Sequence, residues 1–431
     1  MQIDKASTQD AAGRVLSQGS VDGFWIFLVF GLLFFFPLSV GLVGSKINLS
    51  LYDVLLPLIF FFELVRGRIW WPGRKIVLLF LLPILAIGLH SVLTGVFLDG
   101  VHLTPLLIGT LRQVAFFADI GMLVLLFQLP ERRCPSSGVL LALLFMAGAY
   151  ALTMRNMEGH YADWAIHETI YAVIVTGLLL LFLFLQSREE KPANFLKPVA
   201  AIVWALVVII LLYTKFFILI VFLVAVLFFF SESLKFKERR LRRMLLLIGF
   251  SAALTALFVA ALIQINLGTP FVAIYSHLDG SLWHSIDTRI RLWSFGWQLV
   301  VESFPWGTGL NQFGSHIAEN SSLQALRLAN VHNTPLHLLM ELGALGVGIF
   351  GVVLAFIVLG GKKLNASWKA SLCLCILMPM LLHDALGFRA AHVVLAFFLA
   401  GTFFSSAPTP FKAAPAVFQA GAAVRARESL R

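Results

Sequence analysis

Long apolar runs separated by short polar or basic stretches fill most of the chain. They predict membrane spans near 23–42, 50–66, 76–96, 105–129, 138–154, 168–187, 198–213, 215–231, 244–266, 334–360, 370–386 and 389–406. Each is long enough, or nearly so, for a hydrocarbon core of about 30 Å. The block 198–231 is interrupted only by Thr214 and Lys215. As one helix it would measure roughly 51 Å, too long for a bilayer. The loop before it carries Arg188, Lys191 and Lys197, and the loop after it, "KFKERRLRR", is densely basic. Basic loops belong on the cytoplasmic side, so the block must cross twice and turn at Tyr213–Lys215, although that turn holds no Gly or Pro.

The expected fold is therefore an all-α polytopic membrane protein of about twelve transmembrane helices with both termini cytoplasmic. Composition agrees: 59% of the 431 residues are hydrophobic and 13% are charged, against about 25% charged in soluble domains. The net charge of +10 does not point to nucleic acid, because the basic residues sit in short clusters between apolar spans. Lys46, Arg155, Lys215, Arg289, Arg291, Arg327 and Arg389 fall outside and Arg112 falls within the fourth span, which leaves the other Lys and Arg inside. All eleven histidines lie in spans or on the outer side. Chemistry is expected there. The three cysteines imply no disulfide framework: Cys373 and Cys375 lie in a span and Cys134 in a basic loop. The first 22 residues are polar and a full-length span follows, a pattern unlike a cleavable signal.

One loop is large. Residues 267–333 lie on the outer side, inserted in a single transmembrane domain 1–406, and carry Trp283, Trp293, Trp297 and Trp306. Within it "IDTRIRLWSFGWQLVVES" has helical periodicity, with Ile290, Trp293, Trp297, Val300 and Val301 able to share a face. "SFPWGTG" (303–309) breaks that helix, and a second short helix is expected near 318–329. The loop is expected to lie over the membrane like a lid. The tail 407–431, rich in Ala and Pro with scattered Arg, reads as disordered and cytoplasmic.

Charged groups near a membrane are costly and tend to be functional. Lys215, at the tip of an outer turn, reads either as a lysine snorkelling to headgroups or as an anion ligand. Arg289 and Arg291 open the loop helix; a guanidinium fork matches phosphate oxygens, and lipid headgroups are the plainer partner. Two residues apart, they point to different faces. His332 precedes Asn333 where the tenth span begins. An interfacial histidine is often structural, but its near-neutral pKa suits a general base. Asn333 can cap the span, and Glu341, off the His332 face, can hold a neighbouring helix. Arg112 and Asp119 share a face of the fourth span. His383, Asp384 and Arg389 cluster in the last outer turn. His160, His167, Asp163 and Glu168 gather in another outer loop, without a tight metal-ligand motif.

"TRIRLWSFGWQLVVESFPWGTGLNQFG" followed by "VHNTPLHLLMELGALG" resembles the signature of the O-antigen ligase and polysaccharide polymerase superfamily. The matching positions are Arg289, Trp293, Pro305, Gly307, Gly309, Phe313, His332, Asn333, Glu341, Gly343 and Gly346, within about 60 residues. The resemblance implies a GT-C-like bacterial inner-membrane glycosyltransferase without a metal cofactor. Such an enzyme takes a glycan from undecaprenyl diphosphate at the periplasmic face. A ligase passes it to the lipid A core oligosaccharide, a polymerase to another repeat unit, and related enzymes to protein. Arg289 and His332 take the family's outer-loop Arg and His. Where the family shows Ser-Arg or Thr-Arg at a tight turn this chain reads "YTK", so Lys215 stands in for an arginine and lacks its bidentate fork.

On this resemblance Lys215 and Arg289, with Arg291 in reserve, would steady the departing diphosphate, and His332 would accept the proton of the acceptor hydroxyl with inversion at the sugar. Arg291, Asn333, Arg389 and Arg112 complete the expected substrate-binding set. The expected partners are the lipid-linked donor, the lipid A core acceptor and membrane lipids. A lipid or solute transporter is the alternative from another class; the polar residues gather on one side and no half-to-half repeat is evident, unlike many carriers.

Overall fold

The computed structural model describes residues 21–39, 46–69, 74–98, 100–129, 135–157, 168–188, 196–212, 214–235, 288–320, 331–360, 366–382 and 388–403. The expected span 244–266, the tail 407–431, Cys134, the cluster around His160, Asp163 and His167, and the His383–Asp384 pair lie outside these residues. The described chain is helical apart from one two-stranded hairpin. Its elements are α1 (Val21–Leu33), β1 (Phe35–Ser39), β2 (Lys46–Ser50), α2 (Leu51–Val65), α3 (Arg74–Phe97), α4 (Leu103–Leu126), α5 (Ser137–Met157), α6 (Glu168–Gln186), α7 (Leu196–Leu211), α8 (Lys215–Lys235), α9 (288–303), α10 (Phe313–Glu319), α11 (Thr334–Leu342), α12 (Ala344–Gly360), α13 (Ala366–Leu382) and α14 (Arg389–Phe403).

Among the described residues, four helices have a stretch long and apolar enough to cross a membrane: Phe80–Phe97, Leu103–Leu126, Ser137–Met154 and Thr169–Gln186. The chain is a multi-pass helical membrane protein. At its centre stands α6, of which 89% of the apolar window is buried, packed by α5, α7, α8, α13 and α14. A helix apolar all round must find partners all round, and α6 does. The other three spanning windows are half buried or less and leave apolar faces outward.

The expected spans differ from the structure at two places. The first was expected over 23–42, but the helix stops at Leu33 and the run continues as a strand pair, with Phe35 opposite Ser50 and Ser39 opposite Lys46. Pro37 explains the stop: inside a helix its ring would meet the carbonyl of Leu33 and its missing N–H would break the ladder. The tenth was expected to run unbroken over 334–360, yet Gly343, at φ +56°, divides α11 from α12. The 198–231 block divides as expected. Without Gly or Pro, Thr214 makes the break: its amide and hydroxyl both donate to the carbonyl of Ile209 (3.3 and 3.2 Å), and its own carbonyl accepts from Phe217 at the start of α8 (2.9 Å).

Candidate functional site

The described part of the expected loop, with the start of α11, has a core of its own. Leu292, Leu299 and Val300 of α9 pack with Phe313 and Ile317 of α10, Val331, and Met340 of α11, apart from the main bundle core. The face expected from periodicity is rotated from the one that is buried. Val300 is buried and Trp293 half-buried, but Ile290, Trp297 and Val301 are exposed. The apolar residues of α9 span a wide arc, so α9 has two apolar faces, and periodicity cannot say which one the protein covers. A short helix, α10, runs over Phe313–Glu319; the second helix expected near 318–329 lies mostly outside the described residues.

Two groups of contacts set the shape of this loop. In the first, the turn after α9 clamps the end of α11. Thr308 and Gly309 donate their amides to the carbonyls of Met340 and Glu341 (2.9 and 3.0 Å), and Ala344 donates to the carbonyl of Pro305 (2.9 Å). The close approach requires glycine: a Cβ on Gly343 would collide with the carbonyl of Pro305, one on Gly307 with that of Glu341, and one on Gly346 with that of Leu338. The clamp also rests on the α3–α4 hairpin. His90 Nε2 donates to the carbonyl of Trp306 (2.8 Å), and the buried Gln312 side chain bonds both backbone groups of His102 (3.1 and 2.9 Å).

The second group builds the His332 corner. Trp293 Nε1 donates to the carbonyl of Val331 (3.0 Å), and Gly296 leaves room for the side chains of Val331 and Leu336 against α9. His332 follows in the left-handed region, at φ +52°. The Asn333 side chain then accepts from the Leu336 amide (3.0 Å) and caps α11, with Pro335 in the first turn. Arg289 lies one turn before Trp293 and two before Gly296, on the arc of α9 that meets Val331. It is half-buried, and desolvation lowers its pKa from the usual arginine value, although a guanidinium keeps its charge. Arg291 points elsewhere and is exposed, as two-residue spacing on a helix requires. Helical position thus puts Arg289 on the arc of α9 that meets Val331, the residue before His332.

The other expected site residues are carried by other elements. Lys215 begins α8, and its side chain lies outside the described set. Arg389 bonds Asp53 through Nε and Nη2, both at 3.0 Å, while Asp53 also accepts from the Ser50 amide at the start of α2 (2.7 Å); that fork ties α14 to α2. Arg112 is exposed on α4. Asp119, two turns along the same face, is buried against His392 Nδ1 of α14 (3.2 Å). Glu341, expected to reach another helix, pairs with His337 of its own turn at 2.7 Å, both buried. The i,i+4 spacing of His337 and Glu341 was a readable signal for that pair; no local pattern announces His392 with Asp119 or Arg389 with Asp53. Among the described residues no group of three His, Cys, Asp or Glu side chains could hold a metal ion.

No family model matches the chain, and no curated protein matches it.

Proposed function

We propose that the chain is an O-antigen ligase of the bacterial inner membrane, transferring a glycan from undecaprenyl diphosphate to the lipid A core oligosaccharide at the periplasmic face. The observation that carries this reading is the Trp293–Val331 hydrogen bond, which seats the His332 corner on the arc of α9 that bears Arg289. The ordered resemblance across Arg289–Gly346 supports the donor class, and the multi-pass helical fold supports a lipid substrate.

In this mechanism the sugar–phosphate bond breaks as the acceptor hydroxyl attacks from the opposite side, inverting the anomeric centre. Negative charge grows on the departing diphosphate. Arg289, with Lys215 from the α7–α8 turn and Arg291 in reserve, meets that charge, and a preorganised cation is most effective where charge develops. Partial burial of Arg289 strengthens the attraction. His332 takes the hydroxyl proton. Arg389, held by Asp53, positions the outer end of α14, and Asn333 holds the corner itself.

The test is transfer in proteoliposomes from purified lipid-linked donor to lipid A core, with and without EDTA. Transfer in both conditions is expected; no transfer to that acceptor, or a strict metal requirement, counts against the reading. A polymerase would use the same donor and site. Deletion separates the two: a lost ligase leaves lipid-linked polymer to accumulate, a lost polymerase leaves single repeat units.

A further inference from the structure

The apolar stripe left outside the loop core has a definite height in the molecule. Ile290, Trp297, Val301, Phe304 and Trp306 are 57%, 56%, 68%, 58% and 65% exposed, and the helical members recur at seven and four residues along one face of α9. Arg291, Ser294, Gln298 and Glu302 form a separate polar strip beside it, with Gln298 bonded to Glu302 (2.8 Å). The height is set by His90, which holds the carbonyl of Trp306 and lies seven residues, or roughly 10 Å, before the outer end of α3 at Phe97. Among the described residues, the exposed side chains of α3 and α4 from that level to the tip are apolar, among them Val92, Val96, Phe97, Leu103 and Leu107, with His102 exposed just before α4 and Arg112 exposed about half a turn below the level of His90. Phe80–Phe97 is one of the spanning stretches, so a bilayer that covers Phe97 also surrounds Trp306.

We infer that residues 290–306 are seated in the outer leaflet, with phospholipid acyl chains covering the Ile290–Trp306 stripe, rather than lying above the membrane as a lid. The stripe is continuous with the lipid-facing surface of α3 and α4. The polar strip turns to the headgroups and water, the division of faces expected of an interfacial helix. Arg291, exposed in the first turn, marks the shallow end and the Phe304–Trp306 turn the deep end. This placement does not depend on the glycosyl-transfer reading.

The test uses the full chain with Cys134, Cys373 and Cys375 replaced by Ala. Nitroxide labels at Val301→Cys, Ile290→Cys and Gln298→Cys are read one at a time in phosphatidylethanolamine–phosphatidylglycerol vesicles. Power-saturation electron paramagnetic resonance should find the label at 301 more accessible to oxygen than to a water-soluble nickel chelate, deeper than that at 290, with the order reversed at 298. Preferential nickel access at 301 overturns the inference, as does low access to both reagents, which means that protein covers the stripe. A second reading leaves the cysteines intact: the fluorescence removed by Trp297→Phe should be quenched by brominated-chain phospholipid. Quenching of that component by aqueous iodide instead contradicts the placement.

Discussion

The clamp formed by 304–309 on 340–346 and the corner at 331–333 belong to one stretch of sequence resemblance, yet they are built differently. The clamp is held by main-chain hydrogen bonds and by glycines that admit no side chain. The corner is held by side chains, through the Trp293 indole and the Asn333 cap, and it presents a histidine in a strained backbone conformation. A non-glycine residue in the left-handed region costs on the order of 1–3 kcal/mol and persists only where its surroundings impose it. The clamp therefore reads as scaffold and the corner as the place where chemistry is presented. Glu341, inside the same motif, is buried and pairs through Oε2 with His337 of its own helix.

That division can be broken from either side. The largest effect is expected from Arg289→Ala: glycan transfer should fall by two to three decades, equivalent to about 2.7–4 kcal/mol of lost charge stabilisation. Its melting temperature should stay near that of the parent, since the loop core of Leu292, Leu299 and Val300 is untouched. Gly343→Val attacks the scaffold instead. The positive φ alone costs about 1–3 kcal/mol, and the collision with Pro305 adds to it, so thermal stability in detergent should drop along with activity. Equal stability would show that the clamp yields without cost.

Smaller effects sharpen the comparison within the corner. Trp293→Phe leaves a smaller aromatic ring and removes one hydrogen bond, a loss of about 0.5–1.5 kcal/mol, together with some packing against the loop core. If that bond holds His332 in register, transfer should fall by more than the change in stability accounts for. Asn333→Ala removes the cap at a cost of about 1 kcal/mol, and Asn333→Asp should restore stability and transfer together. A cap variant that loses transfer and is not rescued by Asp would give Asn333 a role with substrate beyond capping.

The sequence made the apolar elements legible because spans are announced by composition alone. Even the turn inside 198–231 followed from loop charge, although its agent, Thr214, carries no conventional turn signal. What hydropathy could not convey was conformation inside a continuous apolar run: Phe35–Ser39 is a strand and Gly343 a break, and both score as membrane-like. Arg289, His332 and Asn333 could be grouped from the sequence because one ordered resemblance runs through all three. Their division of labour from Gly307, Glu341 and Gly343 was not legible, since it arises from which carbonyl each residue approaches across the loop. The Arg389–Asp53 bond joins residues far apart in the chain, so no local pattern announces it.

Single-turnover transfer by His332→Ala, with donor binding measured separately on the same preparation, tests the central claim most directly. If His332 accepts the acceptor proton, donor binding should persist while the transfer step slows by two or more decades, within the usual range for a general base. Transfer at the parent rate with donor bound would contradict it and remove His332 from the chemistry.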